Sequence, residues 1–234
     1  MVQGTQRKGW MDENLLPSVF WSISRCICEI FPDSWVFTWV TDQTARRREA
    51  IREILQLSEI EFFQMQTRFD RLLDNDEFGW PNVFLDADLA RDFYASHLDH
   101  LPNIKLLSIA LPEVYWAEFI EESAPSENVG ESGVRRMLRK RQALRASASV
   151  RGFEILGFDL AGFHSFVCNS LETDYHTRLN ITLGPNGLIE DYEDAVRAAD
   201  YTALDEVMAE PALWRPWLVS EHSLDSVSSI DDTC

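Results

Sequence analysis

Gly152 to Asn169, GFEILGFDLAGFHSFVCN, restricts the possible folds more than any other stretch. Phe153, Ile155 and Gly157 alternate with Glu154, Leu156 and Phe158. Asp159-Leu160-Ala161-Gly162 then breaks the pattern before a second β-rich run, Phe163 to Val167. Two runs of aromatic and branched residues around a Gly-containing break predict a β-hairpin. Both faces are mostly apolar, which predicts a central hairpin covered on each side. With Cys168 placed in a core strand, the hairpin carries buried groups along its whole length.

The rest of the chain mixes helices and short strands without strict alternation. Leu15, Leu16, Val19, Phe20, Ile23, Ile27 and Ile30 fall at spacings of three and four, predicting a helix over Leu15–Ile30. Trp35–Val40 (WVFTWV) reads as a strand and Thr44–Leu57 as a helix. Ser58-Glu59-Ile60-Glu61 matches a capping box, so a second helix runs from Ser58 to about Leu73, burying Phe62, Met65, Phe69, Leu72 and Leu73. Phe78–Phe84 is an aromatic, turn-rich loop. Asp86 or Asp88 opens a helix through Leu98. Lys105–Leu111 is a strand, and Pro112 starts a helix to Glu122. Ser123–Gly133 is a polar loop. Leu171–Leu179 is a short turn or helix and Asn180–Leu183 a strand. Gly184-Pro185-Asn186-Gly187 is a turn, and Leu188–Tyr201 a helix with Ile189, Tyr192, Val196 and Ala199 inward. Ala203–Ala209 adds a helical turn, and Pro211–Val219 packs on the sheet or pairs with its edge. These elements predict an α+β fold, a mostly antiparallel central sheet flanked by helices. One domain spans 10–220, with a flexible loop at 123–133 and a disordered acidic tail at 221–234.

The 234 residues carry 39 acids against 21 bases, a net charge of −18. Such a field opposes nucleic acid and anionic membranes and favours a basic partner. Cys26-x-Cys28 lacks the spacing of a zinc knuckle or a redox motif, and free thiols at Cys168 and Cys234 fit a reducing compartment. No signal sequence and no apolar run near ~20 residues is present, so the chain reads as soluble and cytoplasmic.

Three sequence features invite other functions. The helices meeting at Ser58 could form a helix-turn-helix, but the recognition helix would hold Glu59, Glu61 and Asp70 against Arg68, the wrong charge for phosphates. Arg135, Arg136, Arg139, Lys140, Arg141 and Arg145 form a basic arm, which in this negative field reads as packing on the protein's own acidic body rather than as a nucleic-acid site. A small hydrolase or metal enzyme around His164, Cys168 and His176 is the alternative function. On one strand, however, His164 and Cys168 would stand about 13 Å apart. No nucleophile elbow, phosphate loop or zinc-protease motif occurs, so no catalytic residue, metal ligand or cofactor is assigned.

FGWPNVF at Phe78–Phe84, KLLSIALP at Lys105–Pro112, Gly152–Glu172, and NGLIEDYEDA at Asn186–Ala195 resemble a group of small bacterial immunity proteins of polymorphic toxin systems. The likeness runs from about residue 35 to 220, rests on structural motifs, and leaves out the N-terminal segment and the tail. It implies a cytoplasmic, antitoxin-like protein that binds and blocks a cognate toxin without turning over a substrate. A basic toxin domain would suit the net charge, since nuclease toxins must grip phosphates. The expected contact residues are Glu190, Asp191, Glu193 and Asp194 on one helix, with Glu118, Glu121 and Glu122 on another.

Overall fold

The hairpin forms, and it lies at one end of the sheet. The computed structural model describes residues 18–24, 52–53, 55–75, 78–79, 83–84, 87–101, 104–125, 135, 138–139, 148–159 and 162–223. Strand β5 (Ser149–Asp159) pairs antiparallel with β6 (Gly162–Ser165), Asp159 opposite Gly162 and Leu156 opposite Ser165. Among the described residues seven strands make one sheet in the order β2 (Phe78–Gly79), β3 (Val83–Phe84), β1 (Ser18–Ser24), β4 (Lys105–Leu111), β7 (Leu213–His222), β5, β6, every pair antiparallel. Thus β6 is an edge strand, and the expected central hairpin is a flank. Its apolar faces are still buried, because β5 is covered on both sides.

The middle of the sheet is β4 (Lys105–Leu111), with the bounds its composition predicts. Leu106 and Ala110 enter the larger core, while Leu107, Ile109 and Leu111 enter a smaller one on the opposite face. On one side β4 pairs with β1 (Ser18–Ser24), Trp21 opposite Ser108. Over 18–24 this corrects the helix expected over Leu15–Ile30; the rest of that range lies outside the described residues. SVFWSIS is too short to show one period: its apolar residues fit spacings of three and four, but aromatic and β-branched residues favour a strand. On its other side β4 pairs with β7 (Leu213–His222), so Pro211–Val219 feeds an interior strand, not an edge. Glu221, assigned to the tail, instead receives Lys105 Nζ at 2.9 Å and Arg151 Nη2 at 2.7 Å from the neighbouring strands. Burial raises its carboxyl pKa, but these cations outweigh burial and hold it low. Strand β7 therefore continues through His222.

Helices cover the larger core. α1 (Glu59–Asp74) begins at the predicted box: Ser58 N donates to Glu61 Oε2 (2.8 Å) and Glu61 N to Ser58 Oγ (3.3 Å). Phe62, Met65, Phe69 and Leu72 are buried, as their spacing requires. Arg68 Nη1 donates to Ser96 Oγ (2.7 Å), tying α1 to α2 (Ala87–His97). Between them β2 (Phe78–Gly79) pairs antiparallel with β3 (Val83–Phe84), Phe78 opposite Phe84. The smaller core lies under α3 (Trp116–Glu122), which follows a single 3-10 turn, Glu113–Tyr115. There Arg135 is buried and donates to Ile120 O (2.6 Å), while Trp116 Nε1 donates to Leu138 O. The start of the basic arm thus packs on the protein's own body.

Beyond the hairpin, three expectations change. The run after Gly162 is a strand only to Ser165, and Phe166–Asn169 is a 3-10 turn, so Cys168 is not on a strand. Helix α4 (Glu172–Leu179) ends with Asn180 in the left-handed region (φ 55°), and Ile181 N bonds back to Tyr175 O (3.0 Å). Asn180–Leu183 is therefore a helix exit with Ile181 buried, not a strand. Leu188 is in a bend, Ile189 bridges Phe153, and α5 starts only at Tyr192 (Tyr192–Thr202). Gly157 lies against Trp214, where an added methyl would meet the indole at 2.8 Å, so glycine is what lets β7 seat its tryptophan.

Trp35–Val40, most of Thr44–Leu57, the loop 126–133, Arg136, Lys140, Arg141, Arg145, Cys26, Cys28 and the tail from 224 lie outside the described residues. Among the described residues no helix is long and apolar enough to cross a membrane.

Candidate functional site

The acidic segment predicted from sequence is built on the most regular helix of the C-terminal half. The turn Gly184–Gly187 closes with Gly187 N on Gly184 O (3.0 Å), and Gly187 takes φ 73°. The chain then runs through Ile189, where N–H and C=O both bond Phe153, and enters α5. Asp191 is the N-cap: its Oδ1 accepts from Asp194 N at 3.1 Å. Small buried residues, Ala195, Ala198 and Ala199, let the helix lie close to β5 and β7. The opposite face carries Glu193, Arg197 and Asp200.

From Glu190 to Glu210 the chain holds Glu190, Asp191, Glu193, Asp194, Asp200, Asp205, Glu206 and Glu210 against one base, Arg197. Arg197 pairs with Asp194 and also donates to Leu179 O (3.2 Å). The four residues predicted as one outer helical face therefore divide. Glu190 and Glu193 are exposed carboxylates, Asp191 caps the helix, and Asp194 holds Arg197.

The second predicted group divides in the same way. Glu121 and Glu122 are exposed at the end of α3. Glu118 is held by Arg215 of β7 through two bonds (Nε to Oε2 3.0 Å). The Arg215 guanidinium also lies 5.2 Å from the Tyr115 ring centroid. The Tyr115 hydroxyl is pushed well above its usual range, first by burial and then by its hydrogen bond to Tyr192. That contact joins the approach to α3 to the first residue of α5, while Phe119 of α3 lies in the smaller core and Ala195, Ala198 and Ala199 of α5 lie in the larger one.

The residues of the alternative centre fall on three successive elements. His164 Nε2 lies 3.1 Å from Asp159 Oδ2 across the end of the hairpin. Cys168 is in the following 3-10 turn, and His176 is exposed in the last turn of α4. Among the described residues no group of three or more His, Cys, Asp or Glu is placed to hold a metal ion.

No protein-family model matches the chain, and comparison with curated proteins and with solved structures gives no match.

Among the described residues, two of the buried polar pairs bear on chemistry that sequence reasoning does not reach. Ser108 Oγ and His222 Nε2 are 2.7 Å apart on the larger-core face of β4 and β7, with Ser220 opposite Ser108. β4 is paired along both edges, so the N–H groups around Ser108 are occupied in the ladder and form no oxyanion site. The pair cross-links strands. Glu154 is buried, accepts from Ser165 Oγ, and has its pKa pushed up to about 8 by burial, with the charge of Glu172 adding to the rise. Only the polar residue inside an otherwise apolar run, Ser108 in KLLSIAL and Glu154 in GFEILGF, hints at either pair.

Proposed function

We propose that this protein is an immunity-type, antitoxin-like protein that acts by binding a basic toxin domain in the cytoplasm, with no substrate turned over. The observation that carries the reading is the acidic segment from Glu190 to Glu210, which runs along a capped helix whose other face is packed on the sheet and continues through the turn beyond it. A fixed array of like charges raises the local concentration of a cationic partner and speeds its approach. Nuclease toxins need cationic surfaces to hold phosphates, so a negative docking surface would compete for the same groups. The likeness of Phe78–Phe84, Lys105–Pro112, Gly152–Glu172 and Asn186–Ala195 to toxin-immunity proteins supports the same reading.

The test is co-expression with the toxin domain encoded by a neighbouring reading frame. Glu190→Lys with Glu193→Lys reverses two exposed charges and spares the Asp191 cap and the Asp194–Arg197 pair. Association with the toxin should slow by about tenfold at low salt, and the difference should shrink as salt rises. Unchanged association and unchanged protection of cells would remove this surface from the contact.

A further inference from the structure

Past the end of α5 the chain makes a feature that the acidic charge alone does not explain. The single 3-10 turn Asp205–Val207 is bracketed by Leu204 and Met208, which are 47% and 87% exposed. Val207 and Ala209 pack against the larger core and anchor the turn from below. Leu204 N bonds Tyr201 O (3.1 Å), Val207 N bonds Leu204 O (2.9 Å), and Met208 N bonds Asp205 O (3.3 Å). The turn is thus a fixed projection with two large apolar side chains at its tip. Met208 has φ 57°, a left-handed conformation usually given to glycine or asparagine. A long apolar side chain there is unfavourable both for backbone and for solvation.

The surroundings identify what would cover it. Asp200, Asp205, Glu206 and Glu210 are all exposed, and no base occurs between Arg197 and Arg215. A second copy of this chain, with a net charge of −18, would bring like charge against like. Anionic lipid and nucleic acid are disfavoured for the same reason. A cationic polypeptide has the complementary sign, and an apolar side chain within it would gain by burying Leu204 and Met208. Methionine suits such a contact because its unbranched thioether adapts to the shape it meets.

We infer that Leu204 and Met208 are the apolar anchors of a docking surface for a basic polypeptide segment carrying apolar side chains, with the neighbouring carboxylates as its charged rim. This rests on the proposal that the acidic segment receives a basic protein. It adds which side chains hold the partner after charge has brought it in.

Two synthetic peptides of equal charge test the idea, one of alternating Arg and Leu and one of Arg interspersed with Gly. The full-length protein should bind the Arg/Leu peptide about tenfold more tightly than the Arg/Gly peptide. Leu204→Ser with Met208→Asn should abolish that preference, while the salt dependence for both peptides persists. Asn tolerates the left-handed conformation, so the thermal midpoint of the variant should not fall, which separates lost docking from lost folding. Equal affinity of the wild type for the two peptides overturns the inference, as does a preference that survives in the variant. Failure of both peptides to bind at low salt overturns the reading of the acidic segment itself. Uptake by phosphatidylcholine vesicles that disappears in the variant also overturns the inference, since the tip would then serve a lipid surface.

Discussion

Glu154 shows how one buried atom pair sets a pH response. Its carboxyl lies on the strand face shared with Trp217, accepts from Ser165 Oγ, and titrates at about 8 in the fold against an ordinary 4.5. Burial is the first cause. The folded state therefore holds a proton that the unfolded state has lost between pH 4.5 and about 8. Stability from this group is complete below the lower value and declines as pH rises to the upper one, at most ~1.4 kcal/mol per pH unit. Urea unfolding from pH 5 to 8 should show the wild type losing stability relative to Glu154→Gln, which keeps an acceptor for Ser165. Parallel profiles for the two proteins would mean that Glu154 is ionised in the fold. Residue identity made this hard to foresee, because a glutamate at an alternating position in GFEILGF reads equally well as a solvent-facing residue. The division among Glu190, Asp191, Glu193 and Asp194 was hidden for a related reason. Sequence marks the charge, while the start of α5 decides which carboxylate caps, which pairs and which stays outside.

Elements were legible where a local signal agreed with the tertiary demand. The reciprocal bonds of Ser58 and Glu61 follow directly from their spacing, and α1 begins where they place it. Ser58→Ala should cost about 1 kcal/mol of stability, read as a lower urea midpoint. An unchanged midpoint would show that packing of Phe62 and Phe69 alone fixes that end. β4 was equally clear, since KLLSIAL is buried on both faces and bounded by Pro112. Ser18–Ser24 and Asn180–Leu183 were misread because each is short and apolar. The pairing with β4 decided the first from outside the segment, and the left-handed Asn180, which ends α4, decided the second. The candidate surface was half visible in the same way. Acid density located α5, but the exposed tip at Leu204–Met208 depends on which residues of that turn Val207 and Ala209 pull inward.

At the scale of the whole molecule the sheet joins distant parts of the chain. β4 is flanked by β1 and β7, and β7 in turn carries β5 and β6. Trp214 and Trp217, both fully buried, stand an odd number of residues apart on this one strand and so occupy opposite cores. A chain ending at Ala212 would leave β4 and β5 each with an open edge and both cores short of an indole. It should show no cooperative urea transition, whereas a chain ending at Ser223 should keep one. A cooperative transition in the shorter chain would mean that the two halves are stable apart. The placement of β7 also bears on biosynthesis. A nascent chain can form its helices and its β5–β6 hairpin early, yet the sheet has no continuous middle until residue 222 has been made. Until then the apolar faces of both flanks have nothing to close against, so the protein gains its protection from proteases and from aggregation late and all at once.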